Sequence, residues 1–144
     1  MADQATEHAL IEAPLDAIWA VIGDFERYPE WARDIKQATI VERDDEGRGT
    51  KVAYRVGAMG RTATYTLAYD YANAPNELSW VLDEGDIMRR LDGRYVFEPD
   101  GDTTRVTYHL AVELVVPLPG FVKRRAEGKI IGTALDELKK RVES

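Results

Sequence analysis

Cysteine is absent from this 144-residue chain, and only two histidines are present. The first absence excludes disulfides, thiolate metal sites and cysteine nucleophiles. The second leaves His8 and His109, neither at a metal-ligand spacing, so no zinc or iron site is expected. No run of about 18 apolar residues occurs, which argues against a transmembrane segment. The opening MADQATEHAL lacks the basic and apolar regions of a secretory signal, so the expected location is cytoplasmic. Positive charge is scarce as well: 19 Lys and Arg against 26 Asp and Glu give a formal charge of −7. Nucleic acid needs a basic surface to neutralise its phosphates and is not an expected partner. Repeats and low-complexity tracts are missing, and residues 1–144 are expected to form one domain.

What is there is apolar periodicity, in a chain that is 44% hydrophobic and 31% charged, as globular proteins are. Gln4–Ala13 reads as a first strand. Pro14 suits the first turn of a helix, and Asp16 complements its dipole. Leu15, Ile18, Trp19 and Ile22 make one helical face, and Gly23 is a plausible stop. The stretch GDFERYPEWARD then sets Phe25, Tyr28, Pro29 and Trp31 among six charged residues and reads as a second short helix broken near Pro29. From about Ile35 to Val116 the period changes to two. Val52, Tyr54 and Val56 form one inward set; Ala63, Tyr65, Leu67, Tyr69 and Tyr71 form the next. Leu78, Trp80 and Leu82 follow, then Leu91, Gly93, Tyr95 and Phe97, then Val106, Tyr108, Leu110, Val112 and Leu114. This alternation predicts an antiparallel sheet with one buried face. The connections DDEGRG, VGAMGR, NAPNE, DEGDIMR and EPDGD are short and turn-like, so the strands form a meander.

After Pro117 and Pro119 comes a helix over about Gly120–Val142, roughly 35 Å long. Its stripe is Phe121, Gly128, Ile131, Leu135, Leu138 and Val142, with Asp136/Lys140 and Glu137/Arg141 spaced as i,i+4 pairs on the other side. An apolar sheet face must be covered, and this is the only element long enough to cover it. The fold class is therefore α+β: a curved antiparallel sheet of about seven strands, two short helices after strand one, and a long C-terminal helix packed over the sheet.

The segment IEAPLDAIWAVIGDFERYPEWARDI resembles the opening of the START-like, or birch-pollen-allergen-like (helix-grip), superfamily. The likeness is carried by Ala13, Pro14, Ile18, Trp19, Asp24, Phe25, Tyr28, Pro29 and Trp31, and the element order agrees over the whole chain. It is most similar to the bacterial polyketide cyclase/dehydrase and lipid-transport group (SRPBCC). The resemblance implies a cavity between sheet and helix that holds a small hydrophobic ligand; no cofactor is expected. Members include lipid and quinone carriers, hormone receptors and aromatase/cyclases, and fold analogy does not choose among them.

The residues bear on the cavity independently. Six tyrosines, Tyr54, Tyr65, Tyr69, Tyr71, Tyr95 and Tyr108, share the inward face with Trp80. A buried tyrosine hydroxyl needs a partner, so such a face suits a partly polar cavity of roughly 300–1,000 Å³ better than a closed core. Gly128 and Gly132, one turn apart, mark either close helix–sheet approach or room for a ligand. The expected ligand-binding set is Tyr54, Tyr65, Leu67, Tyr69, Trp80, Tyr95, Tyr108, Gly128, Ile131 and Leu135. Connections of a meander alternate between its two ends. That parity gathers the helical insert after strand one, VGAMGR, DEGDIMR and PLPGF at one end, with Trp31, Met59, Ile87, Met88, Leu118 and Phe121 as the expected mouth. The same side chains could instead plug the end of the core. Lys123, Arg124 and Arg125 open the last helix there and oppose its dipole; they suit an anionic headgroup, a transient membrane contact, or plain solvation.

No Ser/His/Asp arrangement, phosphate loop or carboxylate pair is marked by motif. Catalytic candidates reduce to the inward tyrosines, with Arg90 and Arg125. The leading expectation is binding or transport of a lipid, isoprenoid/quinone or polyketide-like molecule. The alternatives are a metal-free polyketide aromatase/cyclase or dehydratase, and a protein-interaction module that uses the apolar rim. Nothing in the sequence specifies an oligomeric state.

Overall fold

In a computed structural model, residues 3–58, 61–115 and 119–144 are described. The period-two region becomes six strands: β2 (Ile35–Arg43), β3 (Gly49–Ala58), β4 (Arg61–Asp70), β5 (Glu77–Gly85), β6 (Met88–Asp100) and β7 (Thr103–Leu114). They are preceded by β1 (Asp3–Ile11), α1 (Leu15–Ile22) and a 3₁₀ helix (Phe25–Glu30), and followed by α2 (Gly120–Glu143). The seven strands form one antiparallel sheet in the order β1-β7-β6-β5-β4-β3-β2, which is the predicted meander with β1 added beside β7.

This order corrects one expectation. β1 and β2 lie on opposite edges and run the same way, so the segment joining them must cross from one end of the sheet to the other. The helical insert does not sit wholly at the mouth. α1 lies beside the β4–β5 turn, where Trp19 Nε1 donates to the Pro75 carbonyl at 2.9 Å. Only the far end of the insert reaches the opposite side, where the Asp34 carbonyl accepts the Gly57 N–H at 2.8 Å.

Local chemistry explains the short helices. Pro14 caps α1 in an extended conformation rather than entering its first turn, Ile18 and Ile22 bury its apolar face, and the Gly23 N–H closes it onto the Trp19 carbonyl at 2.9 Å. The 3₁₀ helix carries Pro29 inside it and ends one residue later, with Phe25 and Tyr28 buried. Together these side chains fill one end of the inner face. There Ile11, Ile18, Ile22, Phe25, Leu78, Val106 and Leu138 are all fully buried.

α2 approaches β1 most closely, with further contacts to β7 and α1, and stands farther off over the middle of the sheet. The expected Glu137/Arg141 pair does not form. Glu137 Oε2 accepts the Arg33 N–H at 3.0 Å, and Arg141 Nη2 lies 2.8 Å from Glu30 Oε1, so both side chains tie α2 to the insert. Lys139 Nζ donates to the Leu10 carbonyl at 2.8 Å, fastening α2 to β1 as well.

Gly93 shapes the middle of the sheet, in register between Trp80 and Leu110. A Cβ there would stand 2.6 Å from the His109 carbonyl oxygen and 2.7 Å from the Trp80 ring. The bare backbone lets the indole lie across β6.

Candidate ligand cavity

α2 is close to the sheet along β1 and α1 fills one end, and between them a space remains over the rest of the inner face. The space between β3–β7, the end of the insert and α2 is a cavity of about 410 Å³, within the range usual for small-molecule sites. A second hollow of about 530 Å³ lies on the outer face of β2–β5, lined by polar residues such as Thr39, Arg55, Thr66 and Glu84. It opens broadly to solvent and would bury little of any ligand, so the inner cavity is the candidate site.

Strand pleating sends alternate residues inward: Tyr54 and Val56 from β3, Tyr65, Leu67 and Tyr69 from β4, Trp80 from β5, Leu91 and Tyr95 from β6, and Tyr108 and Leu114 from β7. Tyr54 and Tyr65 stand opposite each other in register with rings stacked at 5.2 Å; Tyr95 and Tyr108 are also paired in register, with rings 5.0 Å apart and tilted by 50°. The Trp80 ring lies 5.3 Å from Tyr95 and 5.8 Å from Tyr108, which makes a continuous aromatic wall. The roof is Lys129, Thr133, Ala134 and Glu137 from α2, and Tyr28, Trp31 and Asp34 close the side.

The tyrosine hydroxyls divide into two groups. Tyr28 Oη donates to the Ile22 carbonyl at 2.6 Å, and Tyr54 Oη and Tyr69 Oη share a hydrogen bond of 2.6 Å. Those of Tyr65, Tyr95 and Tyr108 have no hydrogen-bond partner among the described residues. No sealed side-chain polar atom there lacks a partner, so these three hydroxyls open on the cavity. Burial pushes all six upward: Tyr28, Tyr54, Tyr69 and Tyr108 well above the usual tyrosine value, and Tyr65 and Tyr95 upward as well. At neutral pH each is an uncharged O–H.

Of the expected ligand-binding residues, Tyr54, Tyr65, Leu67, Tyr69, Trp80, Tyr95 and Tyr108 line the cavity. Leu135 does not; it is buried in the core. Leu135 and Leu138 of α2 turn into the core, and the neighbouring line Lys129, Thr133 and Glu137 faces the void. The surroundings of Gly128 and Ile131 lie outside the described residues. Tyr71 shares the inward face but sits at the filled end, donating to the Gly49 carbonyl at 2.7 Å beneath the Arg48 guanidinium.

At the mouth, Trp31 and Ile87 are half-buried lining residues. Met88 lines the cavity but is only 7% exposed, a wall rather than an open rim, because its side chain folds inward beside Gly85. Phe121 is 64% exposed and does not line the cavity, since α2 begins clear of the sheet. Met59 and Leu118 lie outside the described residues. Arg90 pairs with Asp92 at 3.1 Å on the outside, and Arg125 is exposed, so neither catalytic candidate lines the cavity. His109 is on the outer face as expected, with Nδ1 3.0 Å from Thr6 Oγ1. Sequence reasoning missed Tyr28, Asp34, Lys129, Thr133 and Glu137 as lining. The i,i+4,i+8 spacing of the last three was a legible signal, but their polarity reads as a solvent face. Among the described residues no helix is long and apolar enough to cross a membrane.

A curved seven-stranded antiparallel sheet closed by a C-terminal helix over a cavity defines the helix-grip class. Similar solved structures include a START superfamily protein from Mycobacterium smegmatis, 28% identical, with a TM-score of 0.87 over 97% of each chain. The Zhui aromatase/cyclase from Streptomyces sp. R1128 is 14% identical, with a TM-score of 0.84 over 99% of this chain and 94% of that one. A STAR-related lipid transfer protein from Xanthomonas axonopodis is 17% identical, with a TM-score of 0.70 over 98% of this chain and 86% of that one. At these identities the last two attest the fold alone. Residues 3–143 match the family described as polyketide cyclase / dehydrase and lipid transport, and the chain belongs to that family. No curated protein matches it.

Proposed function

We propose that this chain binds a small apolar molecule in the inner cavity and carries it. The supporting observation is the cavity itself: about 410 Å³ of space walled by Tyr, Trp, Leu and Val side chains in a molecule small enough to have closed it. Leaving such a volume unfilled sacrifices packing contacts, which a ligand restores. The test is native mass spectrometry of protein purified without detergent, with titration by the neutral fluorophore N-phenyl-1-naphthylamine. Saturable binding is expected for the natural chain and a loss of at least about tenfold for Ala134→Trp, which fills the roof. Equal binding to the two proteins, with no co-purifying ligand, would sink the proposal.

A second reading, cyclisation or dehydration of a polyketide chain, draws on Lys129, Glu137 and the free tyrosine hydroxyls in the lining, groups able to hold or pass a proton. An unchanged product distribution after incubation with a reactive poly-β-ketone counts against it. The protein-interaction reading needs an open apolar rim. Of the described mouth residues Met88 is buried, Trp31 and Ile87 are half-buried and Phe121 is exposed.

A further inference from the structure

The chain has seven tyrosines. Tyr28, Tyr54, Tyr69 and Tyr71 spend their hydroxyls on partners within the protein. Tyr65, Tyr95 and Tyr108 do not, among the described residues, and all three line the cavity. Tyr108 is only 6% exposed. Phenylalanine would occupy the same space on the sheet without a hydroxyl, so these three hydroxyls must be met by whatever fills the cavity, water or ligand.

We propose that Tyr65, Tyr95 and Tyr108 read oxygen atoms of the ligand, and that the ligand is a neutral, flat ring compound bearing carbonyl or similar acceptor oxygens rather than a saturated chain. This rests on the carrier reading above and narrows it.

Three features argue for that chemistry. The three tyrosines line one cavity, and the rings of Tyr95 and Tyr108 lie 5.0 Å apart. Each remains an O–H donor at neutral pH, suited to an acceptor oxygen. Among the described residues no Lys or Arg stands among them, and the one cation in the lining, Lys129, is on α2. An anionic group drawn in among the tyrosines would give up its hydration without a counter-charge, which favours a neutral acceptor. The Trp80, Tyr95 and Tyr108 rings, tilted against one another by 53°, 36° and 50°, offer aromatic faces and edges against which a planar ring can pack. A hydrocarbon chain would displace water from the hydroxyls and return no hydrogen bond, losing affinity for each bond unmade.

The test compares two compounds with one skeleton, 9,10-anthraquinone and anthracene, each titrated against bound N-phenyl-1-naphthylamine. The natural chain should bind anthraquinone at least about tenfold more tightly, the equivalent of one net hydrogen bond. The triple variant Tyr65→Phe, Tyr95→Phe, Tyr108→Phe should bring that ratio near one while keeping its affinity for anthracene. Each single Phe variant should lower it in part, which keeps the test decisive if the triple variant folds poorly. Tyr71→Phe, outside the cavity, should leave the ratio unchanged. A ratio near one in the natural chain overturns the inference, as does a ratio that survives in the Phe variants. In either case, continued probe binding leaves the carrier reading standing. If neither the probe nor either ring compound binds to folded protein, both readings fall.

Discussion

The two ends of the sheet's inner face are built from the same residue types and finished differently. At the α1 end, Trp19 Nε1 donates to Pro75, Tyr71 Oη to Gly49 and Thr104 Oγ1 to Ala13, while Phe25, Ile18 and Leu78 are fully buried. Toward the mouth, the same alternation of aromatic and aliphatic side chains surrounds a void, and the hydroxyls of Tyr65, Tyr95 and Tyr108 look into it. Burial alone does not separate the ends, since Tyr108 is as buried as many core residues. Hydrogen-bond bookkeeping does. One end is complete in itself, and the other leaves three hydroxyls to whatever occupies the cavity.

The largest expected effect comes from pH, because it acts on all the tyrosines together. In the unfolded chain they titrate near pH 10. In the folded chain burial raises Tyr28, Tyr54, Tyr65, Tyr69, Tyr95 and Tyr108, while Tyr71, half-buried and moderated by Arg48, is pushed up to about 12. Below pH 10 both states hold every proton and the stabilisation is intact. Above it the unfolded chain releases protons that the folded chain retains, so stability falls as pH rises. Tyrosinate absorbance and loss of the far-ultraviolet sheet signal should therefore appear together above pH 10. Ionisation of most tyrosines near pH 10 with the sheet intact would mean that the cavity end is wet and the contrast between the ends is false.

Next in size is Phe25→Ala. Phe25 is fully buried, 4.7 Å from Tyr69 and 5.4 Å from Tyr28 by ring centroids, so truncation opens a hole in the filled end. The expected loss is about 3–5 kcal/mol in urea unfolding. A loss under about 1 kcal/mol would show that this end is not tightly packed.

What was legible beforehand follows the same division. Tyr54, Leu67, Trp80, Tyr95 and Tyr108 could be placed inward because a strand's period of two is a local property. The path of the insert was not local: it depends on β1 pairing with β7 at the edge opposite β2, and the weak alternation of β1 carries no information on its partner. The lining from α2 was hidden for a related reason. A helix has several faces, and which one meets the void depends on the edge it packs against, so Lys129, Thr133 and Glu137 looked like solvent residues and Leu135 like lining. Met88 and Phe121 looked alike as apolar residues near turns, yet one folds inward and the other stands free.

The smallest effect makes the sharpest comparison, between Tyr71→Phe and Tyr95→Phe, each removing one oxygen. At the filled end, losing the Tyr71 hydroxyl strands the Gly49 carbonyl and should cost about 0.5–1.5 kcal/mol. At the cavity end, the Tyr95 hydroxyl has no partner among the described residues to abandon, so Tyr95→Phe should change stability by less than about 0.5 kcal/mol, in either direction. Urea midpoints measured on ligand-free protein decide it. If Tyr95→Phe costs as much as Tyr71→Phe, the Tyr95 hydroxyl is already satisfied within the fold and is not held in reserve for a ligand. If the costs separate as expected, and affinity for an oxygenated ring falls only for Tyr95→Phe, then a hydroxyl at one end serves the fold and an identical one at the other serves the ligand.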